Sequence, residues 1–196
     1  AFAIESLTRA QRAIDEGLNH REIAAVTIRT RRGEQCVSVD EQPHKANLEK
    51  IPQLRPACAG TGTITPANSS SISDGASALL LASEMAAASN GLTPKARIVA
   101  HARHSLAPES FTLAPIGAVE KVLNKADWNA KDVDLWEINE AFAMVTMLTT
   151  RALDLDPACV NIHGGACAQG HPIGSTGSRV IVTLMHALQH YGKKRA

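Results

Sequence analysis

The sequence predicts an α/β fold, and three observations support that prediction. Short strand patterns alternate with helical patterns through the second half of the chain, as in proteins with parallel sheets. Hydrophobic residues make up 44% of the 196 residues, enough for a sizeable core, but aromatic residues make up only 3%. Small aliphatic residues must therefore fill that core. A helix of small residues, predicted at about 76–89, can lie close to its neighbours, as a buried central helix must.

The first half begins with a helix, because apolar residues recur there at helical spacing: Ile4, Leu7, Ile14 and Leu18. Gly17 marks its expected end. The next predicted elements are strands at 23–30 and 36–40 around a turn at 31–34, then a strand at 61–65 and a polar turn at 68–75. The polar segment 41–56 contains three prolines and is expected on the surface.

The second half starts after Pro94, which marks a break and a candidate domain boundary. Its predicted elements follow in this order: a strand at 97–101, a helix opened by Pro115, a strand at 134–138, a helix at 140–153, a strand at 160–163 and a last helix carrying Val180, Leu184 and Leu188. This alternation favours a sheet with parallel strands.

Charge and cysteine content exclude several classes of protein. Lys and Arg number 20 against 19 Asp and Glu, and a net charge of +1 gives no reason to expect nucleic acid or a membrane surface as partner. No apolar run reaches the ~18 residues of a membrane span. The four cysteines, at 36, 58, 159 and 167, contain no CxxC pair and indicate reduced thiols of an intracellular protein. Because the chain starts at Ala1 inside a helical pattern, we expect a piece of a longer polypeptide.

Two residues stand where α/β proteins place their ligands. Asn139 follows a predicted strand, and His171 lies in a glycine-rich turn just before the last helix. Ligand sites in open α/β sheets lie at the carboxyl ends of strands, and an amide and an imidazole can both donate to an oxyanion. The alternatives at this point are a helix N-cap for Asn139 and a structural role for His171.

Three rival interpretations concern the same region. The loop 174–177 before a helix could cradle phosphate, although it lacks the Walker lysine and the GxGxxG spacing. His163, Cys167 and His171 are four residues apart and could be imagined as metal ligands, but the glycines between them make a regular helix improbable. A Cys167–His171 hydrolase pair is the weakest of the three.

Several motifs resemble those of the thiolase family. They are Asn-Glu-Ala-Phe-Ala at 139–143, Gly-Gly-Ala-x-Ala-x-Gly-His-Pro-x-Gly at 164–174, and Gly-Thr-Ile-Thr-x-x-Asn-x-Ser at 62–70 followed by Ser-Asp-Gly-Ala at 73–76. The resemblance implies a partial thiolase-like fold, layered α/β with mixed sheets. Residues 1–92 would be the end of a loop domain with the last strand and helix of the N-terminal half. Residues 93–196 would be most of the C-terminal half.

The resemblance also implies a chemistry, thiolytic cleavage of a 3-ketoacyl-CoA or the reverse Claisen condensation through a cysteine acyl-enzyme. His171 matches the histidine that activates the cysteine, and Asn139 matches the asparagine that holds a water in the oxyanion hole. Ser70, Ala141 and Phe142 fall where the family contacts CoA. Phe111 falls near the acyl pocket, where many relatives have methionine. CoA and acetyl-CoA would be substrates, with no permanently bound cofactor and no metal.

Both catalytic cysteines of the family fall outside this sequence, one upstream of Ala1 and one after Ala196. We interpret Cys167 as a small buried hydrophobe, and Cys58 falls beside the CoA channel. The chain alone is therefore expected to be inactive, to expose apolar surface and to aggregate or oligomerise. The complete protein is expected to be a homodimer or homotetramer, in the cytoplasm or in an organelle lumen with reducing conditions. The alternative function is a non-catalytic module that binds acyl-CoA or serves in assembly.

Overall fold

The computed structural model describes residues 1–57 and 60–196, and it begins with the predicted helix. This helix, α1 (Phe2–Asp15), ends just before Gly17. Gly17 has a φ of 69°, a conformation that favours glycine at a helix end. The apolar face of α1 is buried, with Leu7, Ala10 and Ala13 at 3% exposure or less. The helix is therefore fixed by the contacts of its inner face.

The predicted hairpin follows as β1 (Val26–Thr30) and β2 (Gly33–Val37), which pair antiparallel. The first strand starts three residues later than predicted, and the second runs over 33–37 instead of 36–40. Two residues connect the strands, since Thr30 pairs with Gly33. The Thr30 hydroxyl donates to the Gly33 carbonyl over 2.9 Å and closes the turn. Every residue of both strands is exposed, so the hairpin adds no buried side chain to the core.

The segment 41–56 was predicted as a surface excursion, and that prediction is partly wrong. It contains a short helix, α2 (Gln42–Lys45), and a 3-10 turn (Leu48–Gln53). Pro43 is fully buried, and its carbonyl accepts a 2.9 Å hydrogen bond from Gln11 Nε2 of α1. The proline is buried because α2 packs directly against the first helix.

The remaining five helices of the described residues follow from residue 84 onward. They are α3 (Glu84–Ser89), α4 (Ala114–Ala126), α5 (Ala143–Ala152), α6 (Ala166–Gln169) and α7 (Ile173–His190). Short 3-10 turns cover Pro108–Leu113, Ala130–Asp132 and Pro157–Cys159. The helices predicted to open at Pro115 and to end the chain are confirmed as α4 and α7.

Three predicted elements between 61 and 101 are wrong. The segments 61–65 and 97–101 form no strand, and the small-residue helix forms only as α3, from Glu84 on. Leu80 is 83% exposed and Ile98 62% exposed. A strand requires a neighbour for its backbone hydrogen bonds, and most helical stability comes from a packed face. Among the described residues, segment 61–65 has one such bond, from Ala57 N to Ile64 O over 2.7 Å, which does not make a strand, and residues 76–83 are mostly exposed.

The strands predicted at 134–138 and 160–163 are reduced to one parallel bridge between Trp136 and Val160. Trp136 N donates to Cys159 O over 2.9 Å, and Asn161 N donates to Trp136 O over 2.8 Å. The parallel direction agrees with the prediction, but the pairing is shorter. α5 starts at Ala143, three residues later than predicted, because Phe142, directly before it, is extended and pairs with Ser69.

Small residues fill the interior, as the composition predicts. One cluster joins Leu7, Ala10 and Ala168 between α1 and α6, with Ile51 against it. A second cluster packs near the Trp136 bridge: Ile138, Leu155 and Val160, with Ala130, Trp136 and Leu153 against them. The α/β class is confirmed. In residues 1–57 and 60–196, no helix combines the length and the apolar character that a membrane crossing requires.

Candidate active site

Asn139 lies at the end of the short extended segment that pairs with Val160. No helix forms from Asn139 to Phe142, and α5 begins only at Ala143. The N-cap of α5 is Phe142, which makes no side-chain cap. The interpretation of Asn139 as a helix N-cap is therefore wrong, and its amide is available for another purpose.

His171 lies in the loop between α6 and α7. Gly170 ends α6 with a φ of 85°, and a Cβ there would overlap the Ser73 hydroxyl. The neighbouring chain also holds the histidine backbone, since His171 N donates to Ser71 O over 3.0 Å. Pro172 follows as the N-cap of α7. A glycine that permits close approach and a proline that starts the helix thus fix where the imidazole emerges.

The structure brings Asn139 and His171 together. Asn139 Nδ2 lies 3.4 Å from His171 Nε2, and His171 Nδ1 lies 2.7 Å from Thr176 Oγ1. Thr176 also donates to Pro172 O over 3.0 Å. All three contacts are satisfied together when Nδ1 carries the proton and Nε2 carries the lone pair. The imidazole then presents a basic nitrogen beside the asparagine amide.

The Asn139 side chain keeps one further group available. Its Oδ1 is buried and has no hydrogen-bond partner within the described residues. Most buried polar atoms have a partner, so an unpartnered acceptor beside a basic nitrogen is typical of a site that receives a ligand or an ordered water. A cleft of about 370 Å³ opens next to this loop, lined by residues 73–77 and 172–175.

The four residues predicted to bind CoA or the acyl chain lie in one continuous cluster. Ser70 N and Ser70 Oγ both donate to Ala141 O, over 3.1 Å and 3.0 Å. The rings of Phe111 and Phe142 lie 6.0 Å apart with a tilt of 59°, a favourable aromatic arrangement. The cluster adjoins the Asn139–His171 pair through the backbone of Ala141 on one side and of Ser71 on the other.

None of the cysteines that the structure describes hydrogen-bonds to His171. Cys167 Sγ lies 3.7 Å from Glu140 O as a donor. Burial, with Glu140 beside it, raises the pKa of the Cys167 thiol above its ordinary value, so it is a poor nucleophile. Cys36 is exposed and Cys159 half-buried, both as free thiols. The prediction for Cys58 lies outside the described residues.

The rival metal and phosphate interpretations gain no support. Among residues 1–57 and 60–196, no three His, Cys, Asp or Glu side chains form a metal-ligand group. His163 Nε2 faces the Tyr191 hydroxyl at 3.2 Å, and α6 covers only Ala166–Gln169, as the glycines predict. In the loop proposed to hold phosphate, the Ser175 hydroxyl contacts Ser77 over 2.7 Å, and Thr176 contacts His171.

The sequence analysis did not identify the buried polar residues that hydrogen-bond to the segments carrying Asn139 and His171. They include Glu140, Asn161, Ser6 and Thr176, all buried. Glu140 stands in the Asn-Glu-Ala-Phe motif, and a charged residue that follows a buried strand was the available signal. Nearby, Glu137 Oε2 lies 3.5 Å from Arg179 Nη1. Burial raises the pKa of Glu137 to about 8, although the Arg179 charge opposes the shift.

Comparison with known proteins identifies the class to which this fold and site belong. The family model for the thiolase C-terminal domain matches residues 92–196 of the sequence, and the family model for the thiolase N-terminal domain matches residues 1–85. The chain belongs to the thiolase family.

Individual relatives agree with that assignment. The chain is 46% identical to a probable acetyl-CoA acetyltransferase of Dictyostelium discoideum, over 98% of this chain and 47% of the relative. The crystal structure of the Bacillus anthracis acetyl-CoA acetyltransferase matches with a TM-score of 0.93 and 41% identity, over 97% of this chain and 49% of that one. Human mitochondrial 3-ketoacyl-CoA thiolase matches with a TM-score of 0.89 and 36% identity, over 98% and 49%. The chain therefore spans about half the length of these relatives.

Proposed function

We propose that this chain supplies part of the active site of a thiolase, an enzyme that transfers an acyl group between a cysteine and CoA. The family membership supports the class of reaction. The observation on which the proposal depends is the 3.4 Å contact between Asn139 Nδ2 and His171 Nε2. It brings a base from the loop between α6 and α7 and an amide donor from the segment before α5 to one place, where charge would develop.

The reaction needs both groups. In the thiolytic direction the cysteine sulfur adds to the C3 carbonyl of a 3-ketoacyl-CoA, and the C2–C3 bond breaks. The two-carbon fragment leaves as the acetyl-CoA enolate and takes a proton at C2 from the second cysteine of the family. The CoA thiol then returns a proton to that cysteine, attacks the acyl-cysteine and releases the enzyme sulfur, which takes back the proton held by His171. Each addition creates an oxyanion, which donors fixed in advance stabilise best.

His171 and Asn139 have separate parts in this sequence. With its Nδ1 proton directed at Thr176, His171 accepts the proton of the nucleophilic thiol at Nε2. The protonated Nε2 no longer accepts from Asn139 Nδ2 and instead becomes a donor to the oxyanion. Asn139 Oδ1, buried without a partner in the described part of the chain, holds a water whose other proton points at the same oxyanion. This explains why an asparagine stands there.

The substrate contacts follow from the cluster around Phe142. Ser70 and Ala141 line the path of the pantetheine arm, and Phe142 packs beside it. Phe111, which contacts Phe142, narrows the acyl pocket. CoA and acyl-CoA act as substrates and leave after each turnover, so the chemistry requires no permanently bound cofactor and no metal.

The domain organisation and biological setting are part of the same proposal. Residues 1–92 belong to the N-terminal thiolase half with its loop domain, and residues 93–196 form most of the C-terminal half. The polypeptide works as a homodimer or homotetramer in fatty acid metabolism. Its location is the cytoplasm or a reducing organelle lumen, which the free thiols at 36, 159 and 167 support.

Substitution at the pair tests the proposal. In a polypeptide that joins residues 1–196 to segments supplying the two cysteines, His171→Ala should lower kcat for acetoacetyl-CoA thiolysis by about 10³-fold. Asn139→Ala should lower kcat by about 10²-fold with a smaller change in KM, because its water acts in the transition state. His101→Ala, at an exposed histidine, is the matched control. Near-normal turnover of either site variant would contradict the assigned role.

The second candidate is a non-catalytic module that binds acyl-CoA or serves in assembly. The observation behind it is that, among the residues described, no cysteine hydrogen-bonds to His171, and the Cys167 thiol is directed at Glu140 O instead. If residues 1–196 bind CoA in calorimetry, and the polypeptide with both cysteines still shows no thiolysis, this candidate replaces the enzyme. We expect residues 1–196 alone to be inactive in either case.

A further inference from the structure

Glu140, the residue after Asn139, is the centre of a buried hydrogen-bond cluster. Its side chain is 1% exposed. Glu140 Oε2 accepts from Ser6 Oγ over 2.7 Å and from Cys167 N over 3.1 Å. Glu140 Oε1 accepts from Asn161 Nδ2 over 2.9 Å. One carboxylate thus joins α1, the start of α6 and the turn after Val160.

Asn161 and Cys167 approach Glu140 with donors that cannot be reversed. Asn161 Oδ1 accepts from Ile138 N, and its Nδ2 also donates to Ile138 O, both over 2.8 Å. Turning the amide around would break both bonds, so Nδ2 must face Glu140. The Cys167 donor is a backbone N–H. Both carboxyl oxygens therefore meet a fixed donor, a pattern that only an acceptor-only group satisfies at both ends.

The Glu140 carboxylate lies so close to the Gly165 backbone that no side chain could fit between them. A Cβ at Gly165 would overlap the Glu140 carboxyl group. Gly165 N instead donates to Ser6 Oγ over 3.1 Å, the same hydroxyl that donates to Glu140. The glycine loop, α1 and Glu140 are thereby held in one arrangement, and a partly satisfied network of this kind is costly.

We propose that Glu140 is a positioning residue that keeps Asn139 and His171 in contact. It fixes the backbone directly after Asn139, and through Cys167 and Gly165 it fixes the start of α6 at Ala166, which leads to His171 five residues later. Ser6 ties both to α1. The inference rests on the proposed function, because the two side chains that it positions are the catalytic pair assigned above.

The effect on turnover follows from geometry. A displacement of about 1 Å between reacting groups can cost ~10²-fold in rate. Substrate binding depends instead on the cluster of Ser70 and Phe142, which adjoins Glu140 in the chain but makes no use of its carboxylate. Loss of the carboxylate should therefore lower kcat while KM changes little, whereas general destabilisation would lower the fraction of folded enzyme.

Glu140→Gln is the sharpest test, because the amide has the same shape but must set an N–H against Asn161 Nδ2 or Cys167 N. In the thiolase polypeptide described above we expect kcat to fall by about 10- to 100-fold, with KM within about twofold and an unchanged circular dichroism spectrum. The 15N resonances of the His171 ring should shift, reporting the altered contact with Asn139. Glu120→Gln, at an exposed position of α4, is the matched control.

The outcomes separate this inference from the proposed function. If His171→Ala and Asn139→Ala retain turnover, the function is wrong, and the inference fails with it. If both lose turnover but Glu140→Gln keeps the parental kcat, only the positioning role is wrong. If Glu140→Gln does not fold, Ser6→Ala decides. A severalfold fall in kcat with a folded protein supports positioning, and a parental kcat means that Glu140 only stabilises the fold.

Discussion

Two regions of this molecule, residues 136–176 and residues 71–107, differ in how their apolar sequences are used. The first surrounds the candidate site, and side chains distant in sequence close its loops, as Asn161 does for Ile138. In the second, Ile72 is fully exposed and Leu80 is 83% exposed. The backbone nevertheless matches a solved thiolase with a TM-score of 0.93, over 97% of this chain and 49% of that one, so the exposure is a property of these residues without the other half of such a chain. An apolar sequence pattern predicts which side chains favour burial, but it does not show which segment packs against them.

The largest expected difference between the two regions is the loss of unfolding free energy when alanine replaces one of two glycines with similar φ angles. Gly164 has a φ of 79° and Gly91 a φ of 63°. A Cβ at Gly164 would lie 2.7 Å from Ala10 Cβ and 2.8 Å from Ala10 N, whereas nothing lies within 4 Å of one at Gly91. Gly91→Ala should cost about 1 kcal/mol of unfolding free energy from backbone strain alone. Gly164→Ala should cost about 3 kcal/mol, because overpacking adds to that strain.

Urea unfolding of both variants measures this difference, and the parent chain gives the reference. Equal costs at Gly164 and Gly91 would contradict the view that the first region is closely packed and the second is open. A cost at Gly91 well above 1 kcal/mol would mean that the second region contacts something in solution, such as another copy of the chain.

A smaller effect is expected from the buried histidine of the first region. Burial lowers the pKa of His163 to about 4, with the charges of His190 and Arg12 adding to the shift. An unfolded chain has its histidines near 6.5, so between pH 6.5 and 4 the unfolded state binds more protons. The contribution of His163 to the unfolding free energy is therefore fully present above pH 6.5 and is lost as the pH falls toward 4. The loss amounts to roughly 2 kcal/mol after allowance for solvent screening.

Acid unfolding of His163→Asn checks this, since the variant should lose less stability between pH 6.5 and 4 than the parent. His101→Asn, at an exposed histidine of the second region, should keep the acid transition of the parent chain. If His163→Asn and the parent lose the same stability over this interval, the buried imidazole is not the group responsible.

The same comparison explains what the sequence could predict. The helices at 2–15, 114–126 and 173–190 carry their own signals, because their apolar faces and end residues are local. Asn139 and His171 were predicted from their places at turns between a strand and a helix, and their side-chain nitrogens lie 3.4 Å apart, although His171 follows the short helix α6 and not a strand. The strands at 61–65 and 97–101 were wrong because a strand is defined by its partner. Glu140 and Asn161 were missed because burial of a polar residue depends on partners outside its own element: Ser6 lies 134 residues from Glu140, and Ile138 lies 23 residues from Asn161.

The smallest predicted effect concerns the exposed apolar side chains. Leu80 is 83% exposed and Met85 82% exposed, so Leu80→Ser and Met85→Ser should each change the unfolding free energy of residues 1–196 by less than about 0.5 kcal/mol. Leu7→Ser is the matched control in α1, where the side chain is 3% exposed, and it should cost several times as much. Sedimentation should show less self-association for the surface variants, since an exposed apolar patch promotes it. If Leu80→Ser costs as much as Leu7→Ser, this face is already covered in solution, and the contrast between the two regions does not hold outside the isolated chain.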